Sequence, residues 1–321
     1  MFSVINTMAD KKISQLTELT SANAATDFLP VVDTSVGETK KIALANLPMS
    51  DAALAQSYPY TTDFQSGTEQ TRNLTSIDNT SGYDNNNITS IYVGSNVTSI
   101  GSSSFYEATS LASVTIGSGV TSIGSHSFTF CSSLTSITIP DSVTSIGSQA
   151  FNNCSSLTSI TIPDSVTSIG NDAFTNCNFT SVTIPDGITS LSTGIFKSCA
   201  SLTSITIPDS VTSIGGYAFA YCSSLTSITL PINPLFTSIE DNVFLFCSSL
   251  TSINIPDSVT SIGSFAFAVC TSLATVNCLA TTAPTLGSFA FYGISATEIH
   301  VPVGATGYGA TYGGLTVVAD L

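Results

Sequence analysis

Seven cysteines recur along the chain, at Cys131, Cys154, Cys177, Cys199, Cys222, Cys247 and Cys270, in steps of 23, 23, 22, 23, 25 and 23 residues. Each sits in one phrase, close to A-F-x-x-C-S-S-L-T-S-I-T-I-P-D-S-V-T-S-I-G. A unit this short cannot bury its own apolar face, so units must stack, each one coil resting on the last. The period therefore dictates a solenoid. It also places the cysteines where packing is the economical explanation.

One repeat can be read residue by residue. Its apolar positions are Leu134, Ile137, Ile139, Val143, Ile146, Ala150, Phe151 and Cys154. Ile137 and Ile139 alternate with Ser136 and Thr138, which is strand spacing. Pro140 and Asp141 stop that strand and turn the chain. Val143 to Ile146 makes a second short extended run, closed by Gly147. Ala150, Phe151 and Cys154 stand three or four apart, which predicts a single helical turn. One coil is then strand, turn, strand, helical turn. The phenylalanine recurs at Phe105, Phe128, Phe151, Phe174, Phe196, Phe219, Phe244, Phe267 and Phe291, which predicts nine coils and a stacked aromatic row. At ~4.8 Å per paired strand the rod is on the order of 40 Å long. The 22-residue step loses a residue after Cys177, and the 25-residue step adds residues at Pro231–Ile239. Both irregularities fall in turns, where they cost least.

The flanks do not repeat. Residues 1–57 contain DFLPVVDTS and GETKKIALANL, read as a small β-hairpin turning at Gly37. Residues 58–86 read as a linker and first cap, 87–296 as the solenoid, and the Gly- and Tyr-rich 297–321 as a cap over the last exposed strand edge.

Composition excludes several classes of partner. Charged residues make up 8% of the 321, and the net charge is -15 with six basic residues. Five of these, Lys11, Lys12, Lys40, Lys41 and Arg72, precede the repeats, leaving Lys197 alone behind them. Such a surface cannot neutralise phosphates, so nucleic acid is not expected as a partner. An anionic membrane surface would repel it, and no stretch is long and apolar enough to span a bilayer. The start, MFSVINTMADKKISQL, lacks the charged-then-apolar order of a secretory signal, so assembly in a cytoplasm is expected. Translation from Met1 and from Met8 both fit.

The phrase LTSITIPDSVTSIGSQAFNNC closely resembles the BspA-like leucine-rich repeats, over roughly residues 87–301. That resemblance implies a right-handed, mainly β solenoid with short helical turns. It also implies adhesion or recognition of a protein or glycan, an extracellular or cell-surface location, and no catalysis. The N-terminal phrase is a separate signal. It resembles the N-terminal segment of bacteriophage tail-fibre and other virion proteins, through Lys12, Ile13, Leu16, Asp27, Leu29, Pro30, Val32, Thr39, Lys40, Lys41, Ile42 and Leu47. This second resemblance implies attachment to other virion proteins, with a host-binding module behind, and a homo-oligomer, a trimer by analogy. Leucine-rich coils depart from the long fibrous β-repeats usual in such fibres.

Candidate chemistry is sparse. The cysteines form no C-x-x-C pair, and only His126 and His300 could assist them, so free thiols packed as small apolar groups are expected over disulfides, metal or a nucleophile. Cys278 supports this, since it falls where other repeats carry Ile139 or Ile162. Asp141, Asp164, Asp186, Asp209 and Asp257 each follow a proline. They read as turn residues accepting backbone N–H groups, against a Ca²⁺ row that would supply one carboxylate per coil. The histidines stand in no triad or metal spacing. No cofactor is expected.

The outward strand face is the first candidate for recognition. It carries Ser136, Thr138, Ser159, Thr161, Ser204, Thr206, Ser227 and Thr229 as two hydroxyl rows, though a soluble, strand-compatible surface is the favoured explanation of them, since uniform hydroxyls carry little specificity. The second candidates are places where the repeats deviate: Tyr217, Tyr221, Lys197, the Pro231–Ile239 insertion, and Tyr308 and Tyr312 in the cap. The leading expectation is a non-enzymatic particle-bound fibre or spike of a phage virion, with the solenoid presented to a host surface. A cell-surface adhesin is the alternative, and an ice- or surface-binding solenoid stands below it.

Overall fold

A computed structural model describes residues 70–72, 76–77, 88–95 and 97–321. The expected hairpin and the attachment residues Lys12 to Leu47 lie outside the described residues. The solenoid itself is present as expected, mainly β and parallel.

Two parallel ladders run along it. The first joins Gln70–Arg72, Ser90–Val93, Ser113–Ile116 and Ser136–Thr138. It resumes at Ser204–Thr206 with Ser227–Thr229, and again from Ser252–Ile255 through Thr275–Cys278 to Glu298–Val301. The second is built from two-residue strands such as Ser122–Ile123, Ser145–Ile146 and Ser168–Ile169. Register equals the sequence period: Ser113 pairs with Ser136 and Ile137 with Val114, so like side chains sit above like. Ile255 pairs with Cys278, placing that thiol in an isoleucine row. The first ladder lapses between Thr138 and Ser204, across the shortened coil, where Asn178 N–H bonds to Leu157 O instead.

The core is one continuous cluster. The nine phenylalanines stack along it at centroid distances of 5.2 to 5.7 Å, with ring planes within 21° of parallel at every step. Each ring is buried. Such contacts contribute about 0.5–1.5 kcal/mol per pair beyond the area they remove from water. Gly147 lets the coils approach this closely: a Cβ there would lie 2.4 Å from Ser125 N of the coil before.

The expected helical turn is not a helix. Residues 147–154 form consecutive tight turns, with Ala150 N–H bonded to Gly147 O and Asn152 N–H to Gln149 O. Gln149 and Asn153 adopt φ 56 and 61, which no right-handed helix permits. That conformation turns alternate N–H groups outward, and Gln149, Phe151 and Asn153 donate to Asn171, Ala173 and Thr175 O of the next coil at 2.8 Å. The same pair of left-handed positions, four apart, recurs in every coil from Ser103 and Glu107 to Phe289 and Gly293. The segment is thus a third inter-coil ladder, and an isolated helical turn would have forfeited those bonds.

At the C-terminus, Leu315–Ala319 pairs parallel with Glu298–Val301, and Thr311–Tyr312 folds back on it through Gly313 and Gly314, both at positive φ. Two left-handed central residues are what a tight hairpin requires. His300 Nδ1 lies 3.0 Å from Asp320, clasping the last strand to its neighbour.

Candidate recognition surfaces

The cysteine row is interior and free of disulfides. Each thiol has a specific acceptor, the carbonyl of the stacked phenylalanine in the coil before. Cys131 Sγ donates to Phe105 O, Cys154 to Phe128 O and Cys177 to Phe151 O, at 3.1 to 3.2 Å. Cys199, Cys222, Cys247 and Cys270 repeat this with Phe174, Phe196, Phe219 and Phe244. The position therefore needs a small, mostly apolar group carrying one weak donor, which cysteine supplies. Burial pushes Cys131 and Cys222 up to about 12 and raises Cys154, Cys177, Cys199 and Cys247 well above the ordinary thiol range. Thiolate chemistry at neutral pH has no foothold at these six.

Ser136, Thr138, Ser159, Thr161, Ser204, Thr206, Ser227 and Thr229 are all exposed. Ser159, Thr161 and their counterparts at 181 and 183 fall where the first ladder lapses, so the hydroxyl rows do not ride one continuous sheet. Other hydroxyls staple coils together. Thr135 Oγ1 donates to Ala112 O at 3.0 Å, Thr203 to Thr180 O at 3.1 Å, and Ser142 Oγ to Val120 O at 2.6 Å.

The cap tyrosines correct an expectation. Tyr308 and Tyr312 are buried and close the end of the core. Tyr308 Oη donates to Ala280 O at 2.7 Å and to Cys278 Sγ at 3.2 Å, and Tyr312 Oη to Pro284 O at 2.6 Å. Both rings are covered and their hydroxyls are spent on the 278–284 segment, so neither is available for recognition.

The proline-linked aspartates are exposed at the turns. Asp209 Oδ1 accepts Ile232 N–H at 2.7 Å, anchoring the insertion, whose Ile232 and Leu235 stand 78% and 68% exposed. Among the described residues no three His, Cys, Asp or Glu side chains converge as metal ligands. Nor, among them, is any helix long and apolar enough to cross a membrane.

The most distinctive surface lies on the left-handed turn ladder. Tyr217 and Tyr221 both sit there, exposed, at φ 60 and 63. Lys197 Nζ stands 5.4 Å from the centroid of the Tyr217 ring. Sequence reading passed over their continuation: Phe246, Phe265 and Phe289 occupy further left-handed positions, also exposed. Tyr221 stacks on Phe246 at 5.2 Å, Phe265 on Phe289 at 5.3 Å, and Tyr292 meets Phe289 edge-on at 5.7 Å. The available signal was aromatic residues gathering, coil after coil, at places where earlier coils carry Gln149, Asn153, Asp172 and Asn176.

The sequence matches the BspA type leucine rich repeat region, in six copies, over residues 75–203 and 190–310. The chain belongs to this family. No curated protein matches it. Among solved structures, the BspA-type chain is similar to a leucine-rich repeat protein from Eubacterium ventriosum, at 26% identity over 74% of each chain, with a TM-score of 0.45. It is also similar to one from Bacteroides ovatus, at 24% identity over 77% of this chain and 87% of that one, with a TM-score of 0.41. A leucine rich cell surface protein from Faecalibacterium prausnitzii shares 28% identity over 72% of this chain and 79% of that one, with a TM-score of 0.35. The expected phage-fibre likeness of the N-terminal segment has no counterpart in these matches.

Proposed function

We propose that the chain is a non-catalytic adhesion protein that binds a macromolecular partner at a cell surface through its repeat array. The supporting observation is the run of exposed aromatic rings held at left-handed backbone positions. Bulky residues there are conformational outliers, and exposed rings gather no core energy, so recognition is the use left for them. Membership of the BspA-type family favours the same reading over the virion fibre. Interior packing occupies every cysteine, and among the described residues the exposed titratable groups gather into no acid, base and nucleophile set. The test is surface proteolysis of intact producing cells, followed by adhesion of purified full chain to candidate target surfaces. Release of the chain by protease and saturable adhesion are expected; an intracellular chain that adheres to nothing would overturn the proposal.

A second reading keeps the virion location, with the N-terminal segment docked on other particle proteins and the chain trimeric. It rests on the resemblance carried by Lys12 to Leu47. Mass spectrometry of purified particles decides it, since a particle protein must be found there.

A further inference from the structure

The left-handed ladder changes character along the solenoid. In the first five coils its residues are Ser103, Glu107, His126, Phe130, Gln149, Asn153, Asp172, Asn176, Gly194 and Ser198. Most are polar or glycine, and Asn, Asp and Gly tolerate this conformation best. In the last four coils, five of the eight positions are aromatic: Tyr217, Tyr221, Phe246, Phe265 and Phe289. These rings are 38% to 60% exposed, and Tyr292 beside them is 62% exposed. The sequence thus accepts two separate costs, a strained backbone for a bulky residue and apolar surface left in water. The core does not call for either, because the internal Phe219, Phe244, Phe267 and Phe291 already fill it in the same coils.

The rings are also preorganised. Tyr221 N–H donates to Leu245 O at 2.7 Å, Phe246 N–H to Ala268 O at 2.9 Å and Phe265 N–H to Ser288 O at 2.9 Å. The backbone carrying these three rings is fixed by the next coil, which lowers the entropy lost when a partner docks.

Charge identifies the partner. From Ser198 to Leu321 the chain holds six carboxylates, Asp209, Glu240, Asp241, Asp257, Glu298 and Asp320, and no lysine or arginine. Glu240 and Asp241 are exposed in the coil that carries Phe246, and the Asp241 carboxylate accepts the N–H of Ser264, the residue before Phe265, at 2.6 Å. Aromatic rings flanked by carboxylates attract cationic side chains twice over, through the ring face and through the carboxylate. Lys197 over Tyr217 already demonstrates the first contact at the edge of the patch. A second copy of this chain would bring its own net charge of -15 against the patch, and an anionic membrane would meet the same repulsion.

Building on the adhesion reading, we infer that this aromatic edge is the docking site for a protein partner whose contacting surface carries arginine and lysine among apolar side chains.

The test uses the full chain and a synthetic peptide of arginine and leucine, with a glutamate and leucine peptide and a neutral glycan array as comparators. The variant Y221N/F246N/F265N/F289N installs the residue that Asn153 and Asn176 supply in earlier coils, at unchanged net charge. The basic peptide is expected to bind the parent, and the variant to lose at least about tenfold in affinity, as for loss of a desolvated aromatic anchor. The variant's Tm is expected to stay or rise, since asparagine relieves the left-handed strain. Equal binding by parent and variant would show attraction by bulk charge alone and overturn the inference. A large fall in Tm would overturn it too, by showing that the rings serve the fold. Capture of the glycan or the acidic peptide, lost in the variant, would overturn the basic partner yet leave a recognition surface standing. Failure of the whole chain to adhere to any surface would sink the adhesion reading itself.

Discussion

Alkali should unfold this protein through its own core. Six ladder thiols, Cys131, Cys154, Cys177, Cys199, Cys222 and Cys247, have their ionisation pushed upward by burial, two of them to about 12. In the unfolded chain each returns to the ordinary value of 9.0. A folded pKa above the unfolded one means stability is complete below pH 9.0 and is lost as pH climbs toward the folded value. At about pH 10 each exposed thiol gains on the order of 1 kcal/mol from ionisation that its buried form forgoes. Six together amount to several kcal/mol, comparable with the ~5–15 kcal/mol that holds an ordinary domain folded.

The assay is a pH titration under an anaerobic phosphine reductant, following circular dichroism and the ultraviolet absorbance of thiolate together. Both are expected to change in one steep transition near about pH 10, because ionisation and unfolding are one event. Thiolate absorbance that rises from about pH 9 while the dichroism holds would refute the reasoning, since the thiols would then titrate in place. A fold unchanged beyond about pH 11 would refute it as well.

Two substitutions probe the same core from opposite directions. Ser127 is fully buried and its hydroxyl finds no hydrogen-bond partner, so Ser127→Ala should stabilise by roughly 1–3 kcal/mol, read as a raised urea midpoint. Phe151 stacks between Phe128 at 5.3 Å and Phe174 at 5.6 Å, so Phe151→Ala should cost about 3–5 kcal/mol in the same measurement. A cost below about 1 kcal/mol would mean that the row collapses to fill the gap.

Much of the fold was legible because the sequence period and the strand register are one quantity. Ser113 pairs with Ser136, and Ile255 with Cys278, at the spacing of the cysteines themselves. The handed turns were not legible. Ala150, Phe151 and Cys154 at three- and four-residue spacing fit a helix and the alternating turn equally, and only inter-coil bonds to Asn171, Ala173 and Thr175 distinguish them. Tyr308 and Tyr312 were misplaced because a glycine-rich end reads as surface, whereas a solenoid's last coil must borrow side chains to close its core. The aromatic edge went partly unread for a different reason. A single phenylalanine at a variable position resembles noise, and its meaning comes from the neighbours that stacking brings beside it, as with Tyr221 and Phe246.

Uniformity has a consequence for recognition. Where every coil repeats the last, a ligand matched to the periodic face can move by one coil and lose nothing, so specificity must reside in what fails to repeat. That argument can be tested by deletion. Removing residues 132–154 joins Cys131 to Ser155 in phase and takes out one regular coil of 23 residues. Removing 223–247 joins Cys222 to Ser248 in phase and takes out the insertion together with Phe246. Nearest-neighbour stacking predicts that both shortened chains fold with similar small losses in Tm, because each keeps an unbroken phenylalanine row. Adhesion should survive the first deletion and fail in the second, since only the second breaks the stack of Tyr221 on Phe246 and removes Ile232 and Leu235. If the first deletion abolishes adhesion as thoroughly as the second, the regular face is the binding surface and the aperiodic edge is not.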